Sequence, residues 1–383
     1  MQNSIDNHKL ISGNVNMPAS NNKINSATSF LIMINEVASL IDEEWKKCDY
    51  SCYKFPDVVM RKTGSYNFAD EFKFSDIITM LQDTNVRNVQ IVSEFSDLHF
   101  KLFYNGKFYI EILNWWNRDT SIHDHGFSGV LFQLSGTGFN AIYTYEEEEC
   151  ISQHLRVGKI GLSTVQLSQK GDVRVIPSGR EEKHAVLHIE QPTISLIIRT
   201  HPVIDLSPQL NYFPPYLLMD HSAIDNVFNK EIKFFQLLFL QNQELAKSKI
   251  LEAMGAASMT QCFWYLMKLS NIILSPSHID MLSIFINQSN TDSERKLKEK
   301  LITSTVARKS SQYIIDEVKP LFQDRSTRLF LAGLAASYNI QEKQKIFSIL
   351  NIDYDLSRIT SIKNQLPEGV KNKFLTAVDI LSK

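Results

Sequence analysis

Four histidines offer the only constellation in this sequence with metal-ligand spacing. His123 and His125 are one residue apart in the stretch TSIHDHGFSGVLFQLSG, which runs from Thr120 to Gly136. On an extended strand alternate side chains leave the same face, so the two imidazoles point to one place. A second segment, GDVRVIPSGREEKHAVLHIE from Gly171 to Glu190, carries His184 and His188, again an even number of residues apart. A barrel that sets His184 opposite the first pair gathers three neutral imidazoles on one side of a metal ion. Three nitrogens leave other coordination positions open to substrate and dioxygen, which suits a catalytic metal better than a closed structural one. The competing reading is plainer: half-buried strand histidines satisfied by ordinary hydrogen bonds.

The elements that must position these residues read as strands. From Leu98 onward the apolar pattern has a period near two, in LHFKLFY, KFYIEILNWW, GVLFQLSG, FNAIYTYE, KIGLSTVQLS, DVRVIPSG, HAVLHIE and TISLIIRTH, and a further run, VQIVSEF, is expected from Val89. Turn signals such as Asn105-Gly106 and Lys170-Gly171-Asp172 separate them. Many short strands with frequent turns mean a sandwich or barrel. Residues 1–28 are polar and read as a solvated tail. A helix follows, with Leu31, Ile34, Val37, Ala38 and Ile41 on its apolar face, and a second is expected over Phe74 to Asp83 with Ser75 as cap. The strand pattern stops after about Tyr212, and Pro214-Pro215 reads as a boundary. The remainder has helical periodicity, with faces such as Phe228, Ile232 and Phe235. The expected fold class is α+β: short leading helices, an N-terminal β-barrel over 29–212, then an all-α domain over 213–383.

Composition narrows the function classes. With 40 Lys and Arg against 42 Asp and Glu, the net charge of −2 gives no electrostatic reason to expect nucleic acid or an anionic membrane as partner. No stretch reaches the roughly 20 apolar residues of a membrane span, and no secretory signal is visible. The four scattered cysteines do not make a disulfide framework, so a cytoplasmic location is expected. Cys48 and Cys52 lack a matching second pair and read as ordinary thiols.

The HxH motif, a glycine eleven residues beyond it, GDVRVIPSG and a downstream histidine together resemble the two motifs of the cupin barrel, a double-stranded β-helix or jelly roll. Within that superfamily the sequence is similar to the thiol dioxygenases, typified by cysteine dioxygenase. The matching words are NGKF (Asn105 to Phe108), Trp115, SIHDH (Ser121 to His125), then His184 and His188. The resemblance spans about residues 30–202. It implies a mononuclear Fe(2+) held by His123, His125 and His184, with His188 orienting a ligand or a loop. The usual glutamate ligand is missing, since the positions four and five after His125 are Gly129 and Val130.

Other family features are altered. The cysteine of the family's cysteine-tyrosine cross-link falls on Val130. Its outer Ser, His and Tyr fall on Ser195, Ile197 and Arg199, so only the serine is kept. The arginine that grips a substrate carboxylate has no clean counterpart; Lys101 is the nearest cation. If Ser195, Ile197 and Arg199 face inward, Arg199 can hold a carboxylate through two parallel hydrogen bonds. If Ile194, Leu196 and Ile198 do, Arg199 sits in solvent. Tyr109, Tyr143 and Tyr145 are further candidates for lining a pocket.

The function expected from these residues is a non-haem iron oxygenase that joins dioxygen to a small thiol or amino-acid-like substrate, with Ser195, Arg199 and His188 assisting the metal ligands. The alternative is a non-catalytic metal- or ligand-binding barrel whose helical half engages a partner. That half carries no motif; a lid over the barrel mouth, self-association and docking of a carrier protein are the roles open to it.

Overall fold

The computed structural model describes residues 25–91, 96–116, 119–202, 209–220 and 224–383. The polar tail therefore lies largely outside the described residues. The chain enters on a long helix, α1 (Ser26–Lys46), whose first turn is capped by the Asn25 side chain accepting from the Thr28 amide. Its buried stripe is Phe30, Ile34, Val37, Ala38, Ile41 and Trp45, which contains the expected face apart from the half-buried Leu31. A shorter helix, α2 (Phe55–Thr63), follows. The helix expected over Phe74 to Asp83 is a 3-10 turn (Phe74–Asp76) running into Ile77–Gln82, without a Ser75 cap. Val89 follows a short helix, Thr84–Asn88, instead of opening a strand, and 92–95 of that run lie outside the described residues.

Eleven strands are described: β1 (Leu98–Tyr104), β2 (Phe108–Trp115), β3 (Ile122–His125), β4 (Gly129–Ser135), β5 (Gly138–Ser152), β6 (Leu155–Ser168), β7 (Val173–Ile176), β8 (Gly179–His188), β9 (Thr193–Thr200), β10 (Leu210–Phe213) and β11 (Leu217–Asp220). All their pairings are antiparallel. One sheet runs β1-β2-β9-β4-β7, and the other closes on itself in the order β10-β11-β6-β5-β8-β3. The expected β region is present, with one sheet closed on itself and helices before and after it.

Strand pairing extends beyond Tyr212, contrary to the sequence reading. Pro214 and Pro215 sit in the turn of a hairpin whose arms, β10 and β11, pair with β3 and β6 and complete the closed sheet. The signal was hidden because both arms are fully buried, so NYFPPYLL shows no alternation, and Pro-Pro reads equally as a turn or a linker.

The two sheets divide their faces cleanly. On β9, Ile194, Leu196 and Ile198 point outward and pack with Val130, Phe132 and Leu134 of β4 against α1 and α2. On the closed sheet, Phe139, Ala141, Ala185 and Leu187 point outward into a core shared with the C-terminal helices, through Ile314, Phe330 and Phe347 among others. Both outer faces are thus buried by helices. The inner faces, between the sheets, are left to house the site.

Candidate metal centre and its cavity

His123 and His184 are directly opposed partners in the pairing of β3 with β8. Opposed residues hold their Cβ atoms about 5 Å apart on one face, so register alone brings the two imidazoles together. His125 lies two residues further along the same face, where a register irregularity sets it opposite Gly179. Gly179 has φ 80°, the left-handed region open to glycine at little cost, and it opens β8 where the chain passes from β7 in one sheet into the other sheet.

The ligand atoms of His123, His125 and His184 all lie within 4.8 Å of one another, and the three residues are buried. The Nε2 atoms of His125 and His184 approach to 3.2 Å. Metal–nitrogen bonds of about 2.0–2.1 Å set neighbouring donor nitrogens about 3 Å apart, so this spacing fits one ion. Two of the rings are held by their second nitrogen: Nδ1 of His123 lies 2.7 Å from the Ser121 carbonyl oxygen, and Nδ1 of His184 lies 2.7 Å from Oδ1 of Asn140. Donation from each Nδ1 leaves Nε2 as the free acceptor that a metal needs. Nδ1 of His125 is buried without a hydrogen-bond partner.

Burial holds all three imidazoles in the neutral, ligating form. Desolvation is the first cause of each depressed pKa; for His125 and His184 the neighbouring histidines and Arg174 push further in the same direction. Among the described residues this is the one group of His, Cys, Asp or Glu that could hold a metal ion, and Cys48 and Cys52 are half-buried free thiols outside it.

The absence of a glutamate ligand has a steric reason. Gly129 passes so close to β9 that a Cβ would stand 2.5 Å from the Ile198 carbonyl oxygen and 2.9 Å from the Arg199 Cβ. Val130, where the family's cross-linked cysteine falls, is wholly buried against the leading helices, away from the cavity.

The histidines face a cavity with about 60 Å³ of space that the centre of a water molecule can occupy. Its apolar wall includes Leu113, Trp115, Phe127, Leu131, Ile176 and Ile197; Asn140, Arg174, His188 and Ser195 contribute polar groups. Ser195 is on the cavity side of β9, the first of the two parities left open by the sequence, with its hydroxyl donating to Gln133 Oε1 at 3.2 Å. His188 also lines the cavity, outside the metal-binding group, its ring stacked on Trp115 with centroids 4.7 Å apart.

Other expected residues lie elsewhere. Arg199 shares the inward parity of Ser195 and Ile197, but its Nε donates to Glu111 at 2.7 Å and its guanidinium sits over Tyr109 and Phe127, off the cavity wall. Lys101 is buried with its ammonium 4.1 Å from the Tyr109 ring centre, in that same cluster. The Tyr143 hydroxyl donates to the Ala336 carbonyl at 2.7 Å, and Tyr145 packs with the same outer core, so both face the C-terminal helices.

Two cavity residues that contact His184 escaped the sequence reading. Arg174 ion-pairs with Glu182 and places Nη1 3.0 Å from Nδ1 of His184. Asn140 is buried on β5. The available signals were a cation on a short strand between two valines and one amide in an otherwise apolar strand.

No protein-family model matches this sequence, and no curated protein matches it. Among solved structures, the chain is similar to hydroquinone 1,2-dioxygenase from Sphingomonas sp. with 4-hydroxybenzoate bound, at 10% identity over 28% of this chain and 68% of that one, TM-score 0.23. It is similar to a cupin-2 domain protein from Shewanella frigidimarina, at 12% identity over 33% and 99% of the two chains, TM-score 0.21. A third likeness is to the DMSP lyase DddQ from Ruegeria pomeroyi, at 12% identity over 37% and 79%, TM-score 0.22. Likeness at this level carries nothing about chemistry to this chain. Among the described residues no helix is long and apolar enough to cross a membrane.

Proposed function

We propose that this protein is a metal-dependent oxygenase with a mononuclear Fe(2+) site formed by His123, His125 and His184. The observation that carries the reading is the convergence of three buried, neutral imidazoles on one point inside a largely apolar cavity. A closed structural site would complete its shell with a fourth protein ligand, and the described residues offer none. When bound, a ferrous ion supplies open positions at which a small thiol or amino-acid-like substrate and dioxygen can react.

The chain's own residues would do the rest. Ser121 and Asn140 fix the His123 and His184 rings in the ligating tautomer. Leu113, Phe127, Leu131, Ile176 and Ile197 keep bulk water away from the reacting end. Arg174 sets positive charge beside His184, which favours a substrate that binds as an anion. The test is anaerobic loading with ferrous iron, metal analysis, and dioxygen uptake with a thiol panel. One iron per chain, lost in His123→Ala together with uptake, is expected. Zinc at full occupancy with no uptake on any thiol overturns the reading.

A further inference from the structure

His125 Nδ1 and Asn140 Nδ2 each lack a partner in this cavity but belong to side chains bonded through their other polar atom, whereas both ring nitrogens of His188 are unmet. His188 is 4% exposed. A buried imidazole that leaves both its donor and its acceptor unmet carries a cost that native structures rarely tolerate without a ligand or an ordered water. Its backbone is well served: the amide donates to Asp119 Oδ1, and the carbonyl accepts from Lys319 Nζ at 3.2 Å. Only the ring is idle, and it lines the cavity.

The position of that ring matters. His188 lies four residues beyond His184 on β8, so their Cα atoms stand about 13 Å apart along the strand. The cavity therefore has a metal-binding end and a distant polar end joined by apolar walls. Burial pulls His188 down to about 4, so the ring is neutral near pH 7 and presents one N–H and one lone pair. Arg174, the one cation on the cavity wall among the described residues, is at the other end and is paired with Glu182. Lys319 is held by Asp119 behind the His188 backbone. A carboxylate at the His188 end would meet no free positive charge, whereas a hydroxyl, donor and acceptor at once, matches a neutral imidazole. The ring lies nearly parallel to Trp115, at 14°, which makes this end a flat wall with Leu113 and Ile197 near it.

We propose that the His188 end of the cavity is a binding subsite for an uncharged hydroxyl group, so that the substrate, whatever group it offers to the metal end, carries a hydroxyl on an apolar body at its far end. This deepens the metal-site reading by naming the substrate class, yet the subsite itself exists without the metal. The test uses the metal-free full chain, with phenol as probe and toluene as its apolar counterpart, followed by calorimetric titration. Phenol is expected to bind about tenfold tighter than toluene, the effect of one buried hydrogen bond. His188→Phe, which keeps the stack on Trp115, brings the two within about twofold, and His188→Gln retains part of the preference. In the unaltered chain, the His188 ring nitrogens must also shift in long-range nitrogen NMR on adding phenol, a readout that survives if His188→Phe does not fold. Equal binding of the two probes, no phenol binding because an ordered water alone fills the subsite, tighter binding of benzoate than phenol, or a preference that persists in His188→Phe overturns the proposal. Failure of iron loading would leave these results unchanged, so the two readings fail separately.

Discussion

Replacing Asn140 by leucine should weaken metal binding without unfolding the protein. Nδ1 of His184 has two neighbours: Asn140 Oδ1 at 2.7 Å, which can only accept, and Arg174 Nη1 at 3.0 Å, which can only donate. Nδ1 can satisfy one of them. Donation to Asn140 leaves Nε2 free to ligate; acceptance from Arg174 puts the proton on Nε2 and blocks it. Asn140→Leu removes the first option and leaves the second. The Asn140 Nδ2 is already buried without a partner, so a leucine of similar volume forfeits little else. Loss of such an orienting partner costs about 10–100-fold in metal affinity, or roughly 1.4–2.7 kcal/mol. Competition with a chelator under anaerobic conditions measures this, and a thermal melt confirms the fold. Asn140→Asp, which keeps the acceptor and adds charge, should bind metal at least as tightly as the unaltered chain. An Asn140→Leu protein that melts normally and holds its metal within about threefold would refute the tautomer argument.

Three further outcomes follow from the geometry. Gly129→Ala forces a Cβ against the Ile198 carbonyl and should cost about 1–3 kcal/mol, read as a lower urea midpoint; an unchanged midpoint would show that β4 and β9 can separate freely. His188 titrates near its ordinary value when unfolded and at about 4 when folded, so the unfolded chain takes up the proton first as pH falls. Its contribution is complete above about pH 6.5 and is lost progressively down to about pH 4, roughly 3 kcal/mol in all, and metal-free His188→Phe should lose correspondingly less stability between pH 7.5 and 4.5. Asp119→Ala strands the buried ammonium of Lys319, which joins the C-terminal helices to the barrel, and should cost about 3–5 kcal/mol by denaturant titration. The double variant Asp119→Leu, Lys319→Met should recover most of that loss.

Local pattern determined a good deal here. The period of two from Leu98 to His201 marks most of the strands, and the spacing within His123-Asp124-His125 commits two imidazoles to one face whatever surrounds them. Helical periodicity likewise marks α1 and the later helices, because an amphipathic stripe is written into consecutive residues. Parity on β9 was not legible, since Ile194, Leu196 and Ile198 are as apolar as Ile197; the leading helices decide it by covering one face. Nor could the sequence place β10 and β11 in the closed sheet, set His184 opposite His123, or bring Arg174 and Asn140 to the same imidazole. Those are facts of register between segments far apart in the chain. A side chain's local pattern fixes its direction from its own strand, but what stands in that direction is set by which strands pair and where they stop.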